Sequence, residues 1–209
     1  MSRGLGDVYK RQTDDGSITI NSIKRSQGNP SYKGNIELAL YDEGIAVINE
    51  IDIEDYLKKV VPSEMPVSFG VNALKCQAVC ARSYAYTQLE NNYYGEYGAH
   101  VDDSVAFQVY NNTYRNEDAD KAVDETKGRA VYYDDEIVKT YYYSTSCGYS
   151  TDVCAWGSDD SCYPMYGSTH IASGSDDADM SDNAEFERYI EESHDCCLLY
   201  TSPSPRDTR

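Results

Sequence analysis

The sequence predicts an α+β fold: a β-hairpin and mixed strands packed on a central alanine-rich helix, followed by a loop-rich C-terminal part. Three observations carry this. "GNIELALYDEGIAVINEI" alternates apolar and polar residues on either side of an Asp42-Glu43-Gly44 turn. "VNALKCQAVCARSYAYTQL" repeats small apolar residues at helical spacing. "AVYYDD" and "IVKTYYYST" then return to a strand-forming composition. A period of two residues marks strands, and one of 3.6 marks a helix.

In chain order, residues 13–35 are polar and turn-rich, with one short alternating run, "SITINSI". In the hairpin, Ile36, Leu38 and Leu40 are expected to share one buried face with Ile45 and Val47. Asp52 can cap a helix through "IEDYLKKVV", with Asp55 three residues on in the position of a capping box. Pro62 is expected to end that helix. In "VVPSEMPVSFG", Pro62 and Pro66 flank Glu64, which predicts a stiff, non-helical elbow around one carboxylate. A solvated surface glutamate needs no such frame.

A helix over 71–89 follows, whose Ala73, Leu74, Ala78, Ala81 and Ala85 form a small-residue face that another element can approach closely. Cys76 and Cys80 lie four apart on it. That spacing is poor for a mutual disulfide, so buried structural thiols are expected. The loop "ENNYYGEYGAH" leads to "VDDSVAFQVY", and a helix is predicted around "NEDADKAVDETKG" before the two later strands. "SCGYSTDVCAWGSDDSCYPMYGST" is loop-rich, and the acidic "DDADMSDNAEFERYIEES" can begin a helix. No internal repeat is visible.

With 209 residues the chain has ample material for a core, and no run of eighteen apolar residues marks a transmembrane helix. A formal net charge of −18 argues against nucleic acid and against an anionic membrane surface. Twenty-one tyrosines against three phenylalanines suggest polar-edged aromatic surfaces of the kind that suit sugars.

Both ends look foreign. "DVYKRQ", within residues 1–12, and "CLLYTS", at 197–202, can be encoded by complementary strands of one short DNA, read one frame apart. The pattern resembles a translated transposon adapter. Residues 1–12 and 197–209 are therefore expected to be non-native tails, the alternative being genuine flexible ends. Residues 13–196 are expected to be a domain truncated at its C-terminal side, from a gene that continues past both ends. The tails hold five basic and two acidic of the chain's 18 and 36 charged side chains, so the remainder carries 13 and 34, a net −21.

"EDYLKKVVPSEMPVSFGVNALKCQAVCARSYAY" resembles the signature of the stage II sporulation protein D family, which includes amidase-enhancer proteins. "DSVAFQVY" at 103–110 and "YYYSTSCGYST" at 141–151 are similar to later stretches of that family, and the likeness spans about residues 32–166. Cys76 and Cys80 stand where the family usually has alanine. The family's closing glycine- and histidine-rich motif does not occur in this chain.

The resemblance implies a peptidoglycan lytic transglycosylase. Such enzymes cut the β-1,4 bond between N-acetylmuramic acid and N-acetylglucosamine without water and leave a 1,6-anhydro sugar. An ordinary glycosidase needs two carboxylates. Here the sugar's own C6 hydroxyl supplies the nucleophile, so one carboxyl, Glu64, suffices as acid and then base. That role calls for a raised pKa and a fixed direction of approach, which flanking prolines with Val61 and Met65 could provide. By the same resemblance Arg82 is a substrate-binding or supporting group, the alternative being a helix arginine paired to a carboxylate. Gln77, Ser83 and Gln108 also match family positions and could orient sugars; interior hydrogen bonding is their alternative. Ser144 and Ser146, in "STSCGYS", suit a tight loop lining a glycan cleft, or a plain turn.

Cys147 has no convincing nucleophile setting beside His100, His170 and His194. Some clostridial relatives bind zinc near "AHVDDSVAFQVY", where this chain keeps only His100 as a typical ligand and has Phe107 in place of a cysteine. His100, Cys147 and an aspartate fall short of the three or four spaced N or S ligands zinc favours, so no metal and no cofactor is assigned. Cys154 and Cys162 could form a disulfide in an extracytoplasmic setting. The expected partners are peptidoglycan glycan strands, preferably peptide-free, and an amidase. The resemblance implies attachment to a membrane only through an N-terminal anchor, expected to belong to the full-length protein and not to this fragment, and extracytoplasmic work during sporulation engulfment. The alternative function is a wall-binding amidase enhancer that cleaves nothing.

Overall fold

The computed structural model describes residues 8–11, 17–25, 28–42, 44–104, 106–111, 116–142, 149–150 and 169–170, with single positions at 184 and 188. The chain divides into two units, Met1–Tyr141 and Tyr142–Arg209. In the second, two short strands, Tyr149–Ser150 and Thr169–His170, pair antiparallel. All described strand pairings are antiparallel.

The expected hairpin forms from β4 (Asn35–Tyr41) and β5 (Gly44–Glu50), closed at Tyr41 opposite Gly44. β1 (Val8–Arg11) adds to the free edge of β4, while β2 (Ser17–Thr19) and β3 (Ser31–Lys33) pair separately. Such edge pairing uses N–H and C=O groups that every residue has, so it is open to any extended segment. The buried face of the hairpin is not the one expected. Ile36 is buried, but Leu38, Leu40, Ile45 and Val47 are 40%, 60%, 65% and 49% exposed. Only the root of the hairpin reaches the core, through Ile36, and the rest of that apolar row runs out past it.

The core is built by three helices: α1 (Ile53–Glu64), α2 (Val71–Asn91) and α3 (Glu117–Glu125). α2 packs against both of the others, and α1 also meets α3. Leu57, Val60 and Val61 from α1, Leu74, Ala78 and Ala81 from α2, and Ala119, Ala122 and Val123 from α3 are fully buried. Alanines on two of the three contact faces keep the helices close, since axis separation follows side-chain size. Through Ile36 the hairpin joins the buried cluster that Leu74, Ala78 and Ala81 of α2 help to form, and α2 also meets the small strand β7 (Glu136–Ile137). β7 pairs with β6 (Tyr132–Tyr133) across Asp134 and Asp135, both with positive φ. Two central residues in that region make a turn whose twist matches the strands.

Side-chain caps set the starts of α1 and α3. Asp52 accepts the Glu54 N–H at 2.9 Å, and Asn116 accepts the Ala119 N–H at 3.0 Å. Asp55 does not complete a capping box; both its oxygens take Lys33 Nζ at 2.9 Å, a contact from β3. α2 ends at Asn92 in the left-handed conformation. Cys76 is exposed and Cys80 half-buried, so the expectation of two buried thiols fails for Cys76. Among the described residues no helix is long and apolar enough to cross a membrane.

Candidate active site at the end of the first helix

Pro62 does not end α1. It lies inside the helix, whose last turn closes beyond it through the Met65 N–H donating to the Val61 carbonyl at 3.0 Å. The stop comes from Pro66, which pushes the residue before it out of the helical region. Met65 is extended, at φ −135° and ψ 134°. Glu64 is thus the final helical residue, and the elbow begins one residue after it. The chain then passes through a short 3₁₀ turn, Val67–Phe69, to Gly70, whose φ of 88° favours glycine, and enters α2.

Against this helix end lies the segment 106–111. Its Val109 N–H donates to Glu64 Oε1 at 2.8 Å, and its Asn111 N–H donates to Ser63 Oγ at 3.3 Å. Alternate N–H groups of an extended segment face the same side, which matches two donors two residues apart. Ser63 in turn donates to the Lys59 carbonyl at 2.6 Å. Glu64 is half-buried. The helix end and the backbone donor act on it in opposite senses. A helix C-terminus carries partial negative charge and disfavours a carboxylate, whereas the backbone donor favours one.

Gln108 is 1% exposed. Its Oε1 accepts from the Tyr56 hydroxyl at 3.3 Å, and its Nε2 donates to the Ala81 carbonyl at 3.1 Å. The Tyr56 ring also stacks on Tyr110, with centroids 5.0 Å apart. Burial pushes the Tyr56 phenol well above its usual range, with smaller contributions from Tyr110 and the charge of Glu64. Tyr110 is raised in the same way, by burial first and then by Tyr32.

The remaining sequence candidates separate from Glu64. Arg82 is 0% exposed. Its Nε and Nη2 meet the two oxygens of Glu54 at 2.9 and 2.7 Å, and its Nη1 and Nη2 reach the carbonyls of Arg129 and Val123 at 2.9 and 3.3 Å. It braces α1, α2 and the end of α3, and in this conformation presents nothing to a substrate. Ser83, also fully buried, donates to the Val79 carbonyl at 2.8 Å and accepts the Val131 N–H at 2.8 Å. Gln77 is buried, with no partner for its Nε2 among the described residues. For Arg82, Ser83 and Gln108 the geometry is the interior alternative. Ser144 and Ser146 lie outside the described residues, as do Cys147, Cys154 and Cys162. His100 is exposed, and among the described residues no three His, Cys, Asp or Glu side chains gather into a metal-binding group.

What sequence reading missed is the Val109 N–H, a backbone donor that carries no residue identity, and Tyr56, which the motif string contains but whose contact lies 52 positions away.

A family model described as stage II sporulation protein matches residues 41–133, the stretch that holds α1, α2, Glu64 and the segment 106–111. Residues 41–133 belong to the stage II sporulation protein D family. The relatives agree. An uncharacterized protein of Brachyspira hyodysenteriae is 36% identical over 150 residues, covering 69% of this chain and 38% of that protein. The amidase enhancer of Bacillus subtilis is 39% identical over 94 residues, 45% of this chain and 12% of that protein. Stage II sporulation protein D of the same organism is 30% identical over 152 residues, 66% of this chain and 44% of that protein. The chain thus spans less than half the length of each of these relatives. No solved structure matches it.

Proposed function

We propose that this domain is a peptidoglycan lytic transglycosylase in which Glu64 acts alone as acid and base. The observation that carries the reading is the setting of Glu64: a half-buried carboxyl at a helix terminus, aimed by a 2.8 Å backbone bond. The other glutamate near it in sequence on α1, Glu54, is engaged on both oxygens by Arg82 and is not available as a second catalytic group. A single carboxyl is enough when the substrate brings its own nucleophile. Glu64 donates its proton to O4 as the C1–O4 bond breaks. The C6 hydroxyl oxygen bonds to C1, and its proton passes to the Glu64 carboxylate, which restores the acid. No water is consumed, and the product is a 1,6-anhydro-N-acetylmuramic end. The natural setting of this reading is extracytoplasmic, at the cell wall during sporulation.

A second reading, a wall-bound partner of an amidase that cleaves nothing, is favoured by the 39% identity to a protein named amidase enhancer and by the net −18 charge, which suits a protein partner better than a glycan. One experiment separates them. Wild type and Glu64→Gln are incubated with peptide-free glycan strands and the products weighed by mass spectrometry. Disaccharides lighter by one water, from wild type alone, support the transglycosylase. Intact strands in both samples, with binding retained, leave the enhancer.

A further inference from the structure

We propose that Gln108 is a positioning residue for Glu64: its side-chain amide clips α1 to α2 and so holds the Val109 N–H on Glu64 Oε1. The catalytic meaning of this clip rests on the reading of Glu64 as the acid and base; the clip itself does not.

Val109 is gripped through both its neighbours by the same side chain. On one side Gln108 accepts from the Tyr56 hydroxyl, and on the other Tyr110 stacks on the Tyr56 ring at 5.0 Å. The second arm of Gln108 reaches the Ala81 carbonyl on α2, and Asn111 is tied to Ser63. With residues 108, 110 and 111 all anchored, the peptide N–H of 109 has one direction left, toward Glu64. A glutamine is the side chain that fits, because the site needs an acceptor for a phenol and a donor for a carbonyl on one rigid amide. Leucine or methionine fills the space and offers neither.

The consequence is chemical. When Glu64 is neutral, its carbonyl oxygen is the better acceptor of an N–H bond, so the bond to Oε1 favours the proton on Oε2. Proton donation to the leaving O4 then starts from a defined oxygen in a defined direction. Once the proton has gone, the N–H bond to a charged acceptor strengthens and stabilises the carboxylate until the C6 hydroxyl returns a proton. Gln108 touches no substrate in this scheme; it acts through Val109.

The test uses the full 209-residue chain, isotope-labelled, in a pH titration by nuclear magnetic resonance, with Glu64→Gln assigning the Glu64 signals. In wild type the Val109 amide proton shifts with the same midpoint as the Glu64 carboxyl carbon. In Gln108→Met that coupling is lost, and the Glu64 midpoint moves up by about half a unit or more, because a donor to the ionised form has gone. Tyr56→Phe keeps the ring stack but removes one bond of the clip and weakens the coupling. With glycan as substrate, both variants lower kcat and leave KM unchanged. Val109 following Glu64 as in wild type in both variants overturns the proposal. If Gln108→Met does not fold, Tyr56→Phe decides by the same criterion. Loss of the coupling in a protein whose wild type cleaves no glycan upholds the clip and overturns the proposed function instead.

Discussion

Helix α1 carries two glutamates in opposite circumstances. Glu54, in the first turn, faces the positive end of the helix, is 8% exposed, and has both oxygens taken by a guanidinium. Glu64, the last helical residue, faces the negative end, is half-buried, and accepts a bond from the Val109 N–H. The first is an anchor, with both oxygens committed to Arg82. The second sits where the helix end disfavours the charged form and the backbone donor favours it, which suits the proposed proton-transfer role. Residue type and helix are shared; the partner and the end of the helix make the difference.

The largest effect expected from breaking that contrast is at the anchor. Arg82→Met leaves Glu54 buried and unpaired and costs about 3–5 kcal/mol of stability, read by urea denaturation. Replacing both, as Glu54→Leu with Arg82→Met, should return most of the loss. A cost below about 1 kcal/mol for the single variant would mean that Glu54 is no more committed than Glu64. At the other end the pattern inverts. Glu64→Gln keeps an acceptor oxygen for Val109 and should move stability by less than about 1 kcal/mol, while glycan cleavage falls by about 10²–10⁴-fold.

Asp52→Ala tests the anchor end further, since it removes the cap below Glu54 and should cost about 1 kcal/mol with cleavage unchanged. The smallest effect is alkaline. Tyr56 and Tyr110, beside the Glu64 end, have phenols raised by burial. A group whose folded pKa is raised contributes stability that is complete below its unfolded value and is lost as pH rises toward the folded one. The loss should begin near pH 10, at about 0.4 kcal/mol for each phenol there, and grow above it. Urea midpoints between pH 8 and 11 should fall less steeply in Tyr110→Phe than in wild type.

Much of the fold was legible. The hairpin, the Asp52 cap, the long alanine-rich helix and the acidic third helix follow from period, capping chemistry and small-residue spacing, all local properties. Pro62 misled because a proline in the last turn forfeits one bond without ending the helix, whereas Pro66 acts on the residue before it. The row Leu38, Leu40, Ile45 and Val47 misled for a different reason: alternation tells which residues share a face, not whether another element covers it.

The candidate site divides in the same way. The sequence by itself determined that a proline-flanked glutamate, Glu64, lies near the junction of two helices, in a motif string that resembles one family, because those signals lie within consecutive residues; that it closes the first helix, the structure decided. Only the tertiary structure decided the work of the others. Arg82 became a buried brace because Glu54 lies 28 residues away on a packed neighbour, and Gln108 became a clip because Tyr56 and Ala81 converge on it from two helices. A polar side chain can serve a substrate or a core with the same atoms, and what settles the choice is the set of distant groups that folding brings within hydrogen-bond reach.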